Sequence, residues 1–139
     1  MKTIELNFIE MAAVLADITG TNPIYQKQLI DSDGKIGGLL NEKVITQGAK
    51  LDLRFVIKNI SEKYNVINES RLAMIEEAKG EKDALDPESE ESKVFLKEFA
   101  EIAKQKHAID ISPANILESN VRAIQSEFDY SEIIELLFE

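Results

Sequence analysis

The chain has 139 residues, 26 acidic against 16 basic, a formal net charge of −10, no cysteine and one histidine. Such a charge argues against non-specific binding to nucleic acid, whose phosphates repel an acidic surface. The lack of cysteine excludes disulfides, thiolate metal sites and cysteine nucleophiles. With 44% hydrophobic and 30% charged residues the composition is that of an ordinary folded protein, and the length predicts a single domain over 1–139. The N-terminus has no basic segment leading into an apolar run, so no secretory signal is expected. No run reaches the roughly eighteen apolar residues of a membrane span. The expected location is cytoplasmic, with which the absence of cysteine agrees.

Residues 2–6 alternate, with Ile4 and Leu6 on one side and Thr3 and Glu5 on the other, which predicts a short strand. Asn7 with Glu10 three positions on is a capping-box arrangement. Phe8, Ile9, Met11, Ala12, Val14, Leu15 and Ile18 then predict a heavily buried helix closed by Gly20. Asn22-Pro23 opens a new element. Residues 24–30 fit a strand or a short helix, and their periodicity does not choose between the two. A hairpin from about 24–30 to 35–40 is the preferred reading, because Asp31-Ser32-Asp33-Gly34 has turn chemistry. Gly37-Gly38 lets the backbone bend or approach another segment closely, and Leu39, Leu40, Val44 and Ile45 are expected to cover one end of the helices that follow.

The strongest pattern in the chain comes next. Leu53, Ile57, Ile60, Tyr64, Ile67, Met74 and Ala78 recur at steps of four and three, with Arg71 in the slot that breaks the row. That spacing keeps one stripe on one side of a helix. Thr46 is the expected N-cap and Gly80 the expected stop. The resulting rod, on the order of 45 Å long, cannot bury its own stripe. Asp86-Pro87-Glu88 predicts the start of a second helix, whose Val94, Phe95, Phe99, Ile102 and Ala103 share a face. The break from Gly80 to Asp86 is short enough to make the two helices antiparallel neighbours. Residues 108–112 alternate again through Ile109 and Ile111, and Pro113 ends the run. Pairing of this run with 2–6 would form a small sheet. A weak helical pattern covers 113–128, and Asp129-Tyr130-Ser131-Glu132 reads as the cap of an apolar C-terminal segment. The predicted fold is mainly α: a long antiparallel helical hairpin over about 46–107, shorter packing helices, and a minor β element in the form of a two-stranded ribbon or hairpin.

Chemical motifs are weak throughout. Asp31-Ser32-Asp33-Gly34 has Lys35 and Ile36 where a calcium loop wants a ligand and a glycine, so it is read as a plain turn. The lone His107 rules out a triad or a multi-histidine metal site within one chain and is expected to be a cation at a helix C-terminus. Gly34-Lys35-Ile36-Gly37-Gly38 lacks the residues of a phosphate loop. No catalytic, cofactor or metal residues are assigned, and a non-enzymatic protein is expected. Two features favour interaction with other proteins. One is the long stripe, with Tyr64, Ile67, Arg71 and Met74 as its candidate contact residues: the shorter second helix covers only part of it, and the rest is either covered by the N-terminal helix or open to a partner. The other is Ile133, Ile134, Leu136, Leu137 and Phe138, which either dock on the protein's own core or enter a partner's groove. The expected partners are proteins, including a second copy of the chain, with neither nucleic acid nor membrane among them. The alternative is a small acidic helical inhibitor or regulator of a basic protein surface.

Several stretches together resemble a family of small proteins of tailed phages and prophages. They are Ile4-Glu5-Leu6-Asn7-Phe8-Ile9-Glu10, Gly38-Leu39-Leu40-Asn41-Glu42-Lys43, Arg71-Leu72 in the long arm, the charged second helix, Ile109-Asp110-Ile111, and the capped apolar C-terminus. The resemblance implies a role in virion or tail assembly, as an assembly factor or chaperone acting in the bacterial host cytoplasm, and brings no catalytic residues with it.

Overall fold

The structure, a computed structural model, describes residues 2–111, 128 and 130–138. It is mainly helical, with one long helix and two small two-stranded sheets among the described residues. The helix expected over 113–128 lies, apart from Phe128, outside the described residues.

Strand β1 (Lys2–Leu6) pairs antiparallel with the strand His107–Ile111 late in the chain, with Ile4 opposite Ile109. Alternation puts Ile4, Leu6, Ile109 and Ile111 into the core, while the Thr3 hydroxyl donates to the Asp110 carboxylate on the outer face at 2.8 Å. A lone ribbon is marginal in water, and this one is covered by helices on its inner side. Helix α1 (Phe8–Thr19) begins on the full capping box: Asn7 Oδ1 accepts from Glu10 N–H and Glu10 Oε1 accepts from Asn7 N–H, each at 2.9 Å. It is buried on most of its circumference and ends at Gly20, which is left-handed with φ 88°.

The following segment turns earlier than its sequence suggests. β2 (Thr21–Asn22) pairs with β3 (Lys27–Gln28), and only a single bridge, Ile30 to Ile36, spans the Asp31–Gly34 turn. The reason is local: the Asn22 side-chain oxygen takes the amides of Ile24 and Tyr25, and Gln26 adopts φ 54°, so a tight hairpin closes before residue 27. The second turn is as expected, with Asp31 Oδ1 accepting from the amides of Asp33 and Lys35. A short 3-10 turn, Leu39–Asn41, then buries Leu39.

Helix α2 (Gln47–Lys79) has 33 residues and is about 50 Å long. The Thr46 hydroxyl caps it by accepting from Ala49 N–H at 3.2 Å. Its buried face runs through Ala49, Leu53, Val56, Ile60, Tyr64 and Ile67; beyond Ile67 no residue of the helix is fully buried. Helix α3 (Glu90–Lys104) starts after Ser89, which accepts from Ser92 N–H at 3.1 Å, rather than at Asp86. Asp86 instead closes a separate turn, its side chain accepting from Glu88 N–H and its carbonyl from Ser89. His107 stands at the head of β4 (His107–Ile111), two residues past the Gln105 cap of α3 and not at a helix end, because the chain straightens at Gln105 to enter the sheet. Helix α4 (Ser131–Phe138) packs against α1.

One aromatic cluster joins the three longer helices. The Phe8 ring of α1 lies parallel to that of Tyr64 on α2 with centroids 4.9 Å apart, and meets Phe99 of α3 edge-on at 5.3 Å. Both arrangements suit the ring quadrupoles and add to the apolar area they bury. The core therefore lies where α1, the first half of α2 and the inner face of β1–β4 meet.

Candidate functional site

The distal part of α2 and the first two turns of α3 enclose an open groove of about 380 Å³. Met74 and Ala78 on α2 and Val94 and Phe95 on α3 supply its apolar surface. The helix periodicity explains the arrangement: Met74 and Ala78 continue the stripe of Ile60 and Ile67 past the point where α1 and the sheet cover it. Four carboxylates, Glu77, Glu90, Glu91 and Glu98, border the apolar part. Glu90 pairs with Lys93 at 3.5 Å, whereas Glu77, Glu91 and Glu98 have no ion-pair partner among the described residues. The groove is of the size of small-ligand pockets, about 300–1,000 Å³, and it lies open along one side, where Val94 is 53% exposed.

The residues that sequence reasoning singled out are divided among three settings. Tyr64 and Ile67 are core residues, 5% and 7% exposed. Burial raises the Tyr64 phenol above its ordinary value of 10.0, with the Arg71 charge acting in the opposite direction. Arg71 is half-buried and donates from Nε to the Asn68 side chain at 3.0 Å. Met74 alone of the four lines the groove. In the C-terminal segment, Ile133 is wholly buried and its N–H donates to Asp17 Oδ2 of α1 at 3.2 Å. Ile134 and Leu136 are half-buried against the same core, so these three dock on the chain itself. Leu137 and Phe138 continue α4, and their side chains are outside the described residues.

The groove's acidic border was not singled out from sequence, where these glutamates read as the solvated side of a helix. The available signal was the placement of Glu91 and Glu98 one turn to either side of Val94 and Phe95, on the same face of α3.

Two other places gather polar groups. A smaller cleft of about 290 Å³ lies between α2 and β4, lined by Asn59, Glu62, Lys63 and residues 108–110. Asn59 ties its two sides together by donating to the Asp110 carbonyl at 2.7 Å. The second is a buried junction at Tyr130. Its hydroxyl donates to Glu42 Oε1 at 2.9 Å and accepts from Gly38 N–H at 3.0 Å. Burial is the main reason that the Tyr130 phenol is raised far above 10.0; the neighbouring Glu42 and Asp17 charges act in the same direction and the Gly38 bond against it. This junction fastens the chain just before α4 to the segment before α2. Among the described residues no group of three His, Asp or Glu side chains could hold a metal, and no helix is long and apolar enough to cross a membrane. Compared with protein-family models, with curated proteins and with solved structures, the chain matches none.

Proposed function

We propose that this chain is a non-enzymatic protein-interaction protein, in which α2 and α3 act as an antiparallel hairpin that receives a partner between their distal halves. The observation that carries this reading is the groove: an apolar surface of Met74, Ala78, Val94 and Phe95 continues the core stripe beyond the core, yet the described residues leave it open. Apolar surface of this kind, rimmed by polar groups, is characteristic of binding sites. The rim offers carboxylates, which suit it to holding a cationic group beside the apolar surface. A role in virion or tail assembly rests on the sequence resemblance alone. The second reading, an acidic helical inhibitor of a basic surface, is favoured by the net charge of −10.

A photo-crosslinking side chain at Val94, with one at Leu96 on another face of α3 as control, tests the proposal in cells that express the whole chain. Adducts with a discrete protein from position 94 and none from 96 support it. Adducts spread equally over both positions favour the diffuse acidic surface of the second reading, and none from 94 overturns the groove.

A further inference from the structure

We infer that the groove's occupant is a cationic amphipathic helix of a partner protein, which seats apolar residues on Met74, Val94 and Phe95 and directs lysine or arginine towards Glu77, Glu91 and Glu98. The inference rests on the groove reading above and adds the chemistry of the partner. Three observations carry it. The apolar strip between Glu90 and Glu98 is about 12 Å long, a little over two helical turns, and an amphipathic helix presents anchors at that spacing. The carboxylates stand on both walls, Glu77 on α2 and Glu91 and Glu98 on α3, so a bound helix has anionic groups on either side of its apolar face. Lastly, these three carboxylates lack internal cations although Lys93 and Lys79 nearby are each paired elsewhere, with Glu90 and Glu76. Long basic side chains fit such a border, because their stems lie on apolar surface while their heads reach the rim.

A neutral amphipathic helix would cover the apolar strip but leave Glu77, Glu91 and Glu98 without cations, and an acidic one would add like charges beside them. A second copy of this chain brings a net charge of −10 of its own, which opposes its approach. Among the described residues, the faces that set exposed apolar side chains among basic ones are the outside of α3, where Lys93, Lys97 and Lys104 flank Leu96, and the far side of α2, where Arg54 and Lys58 lie beside Leu51 and Phe55.

The test uses the full chain, isotope-labelled, and three synthetic helices of about 15 residues. They share leucine anchors at i, i+3, i+4 and i+7 and differ only in having Lys, Gln or Glu at the flanking positions. The Lys helix is expected to bind with NMR shifts confined to 74–78 and 90–98. Its affinity is expected to fall steeply between about 0.01 M and 0.15 M salt, as the Debye length shrinks from about 30 Å to about 8 Å. The double variant Glu91→Gln, Glu98→Gln should weaken it about tenfold, each rim pair contributing several-fold at low salt. Both substitutions are at exposed helical positions where glutamine is a good helix former, and Val94→Lys gives a second, independent block of the groove. Equal binding of the Gln helix overturns the charge assignment and leaves the groove standing. Failure of all three helices overturns the inference, and the Val94 crosslink then decides separately whether the groove docks a protein at all. Concentration-dependent self-association abolished by Lys97→Glu would make a second copy the occupant and overturn it as well.

Discussion

At the scale of single residues, the tightest constraint lies where Gly20, Gly37 and Gly38 meet. A Cβ on Gly20 would collide with the Gly37 carbonyl, and one on Gly38 would lie 2.6 Å from the Gly20 nitrogen. Gly38 also has φ 107° and ψ 140°, a region that side chains strongly disfavour. The Gly38→Ala variant is therefore expected to lose more than about 3 kcal/mol of stability, strain of about 1–3 kcal/mol being joined by an overlap between two backbones that neither can relieve. Gly34→Ala is the control: its φ is 79° but its Cβ would meet nothing within 4 Å, so about 1–2 kcal/mol is expected. Urea unfolding of the two variants checks both figures. Tyr130 secures the same junction from the other side. Tyr130→Phe removes the acceptor of the Gly38 amide and the donor to the buried Glu42 carboxylate, at an expected cost of about 1–3 kcal/mol. The phenol also predicts a pH dependence. Its pKa is raised in the folded state, so its contribution is complete below the unfolded value near 10 and is lost as pH rises above it, where the unfolded chain releases the proton first. Unfolding curves from pH 8 to 11 should show stability falling above about pH 10, with a shallower fall in the Phe variant.

At the scale of elements, the long helix has two halves with different support. From Ala49 to Ile67 α2 has a continuous buried face, whereas from residue 68 to 79 it has none, and Ser92 is the only fully buried residue of α3. Local opening follows buried apolar contact, so amides of 70–79 and 90–98 are expected to exchange hydrogen at least tenfold faster than those of 53–67, which native-state exchange would resolve. The same contrast should appear between neighbours in α4: Ile133→Ala is expected to cost about 2–5 kcal/mol as a fully buried deletion, and Ile134→Ala, half-buried, clearly less. Much of this layout is legible in the sequence because its causes are local. The capping boxes and hydroxyl caps at Asn7 and Thr46, the stops at Gly20 and Gly80, and the alternation at Ile4–Leu6 and Ile109–Ile111 each depend on residues a few positions apart. Even the need for glycine at 37–38 is visible as a doublet, although not the identity of the backbone it meets. What periodicity does not tell is which part of a stripe is covered. Tyr64 and Met74 share one stripe, but Phe8 stacks on the first and the second lines the groove, and that depends on where α1 ends up. The displaced start of α3 has a different cause: Asp86 and Ser89 are both good caps, and Asp86 is engaged in a turn of its own with Glu88 and Ser89, which leaves Ser89 to cap the helix.

At the scale of the whole molecule, the question raised by a 33-residue amphipathic helix is whether it needs a second copy to cover it. The part of the stripe with the largest side chains is already covered by α1, β4 and the Phe8–Phe99 cluster. Away from its buried stripe, α2 exposes the apolar residues Leu51, Phe55, Val66 and Leu72, at 49%, 54%, 63% and 49%, with the charged Lys58 and Glu62 between Phe55 and Val66 and Glu69 and Arg71 between Val66 and Leu72. One neighbouring pair, Leu51 and Phe55, and two isolated side chains fall well short of the apolar core of a stable dimer, which buries at least about 1,000 Å² in total. The net charge of −10 on each copy adds repulsion that only salt relieves. Light scattering coupled to size-exclusion chromatography should therefore give the monomer mass of 15.6 kDa at both low and physiological salt. A dimer that forms at either salt level and disappears with Leu51→Glu would show that the far side of α2 is an interface between copies. A monomer has the opposite consequence: with the proximal stripe covered from within and no copy seated on the molecule, the groove between α2 and α3 stays open among the described residues, as the proposed docking of a different protein requires.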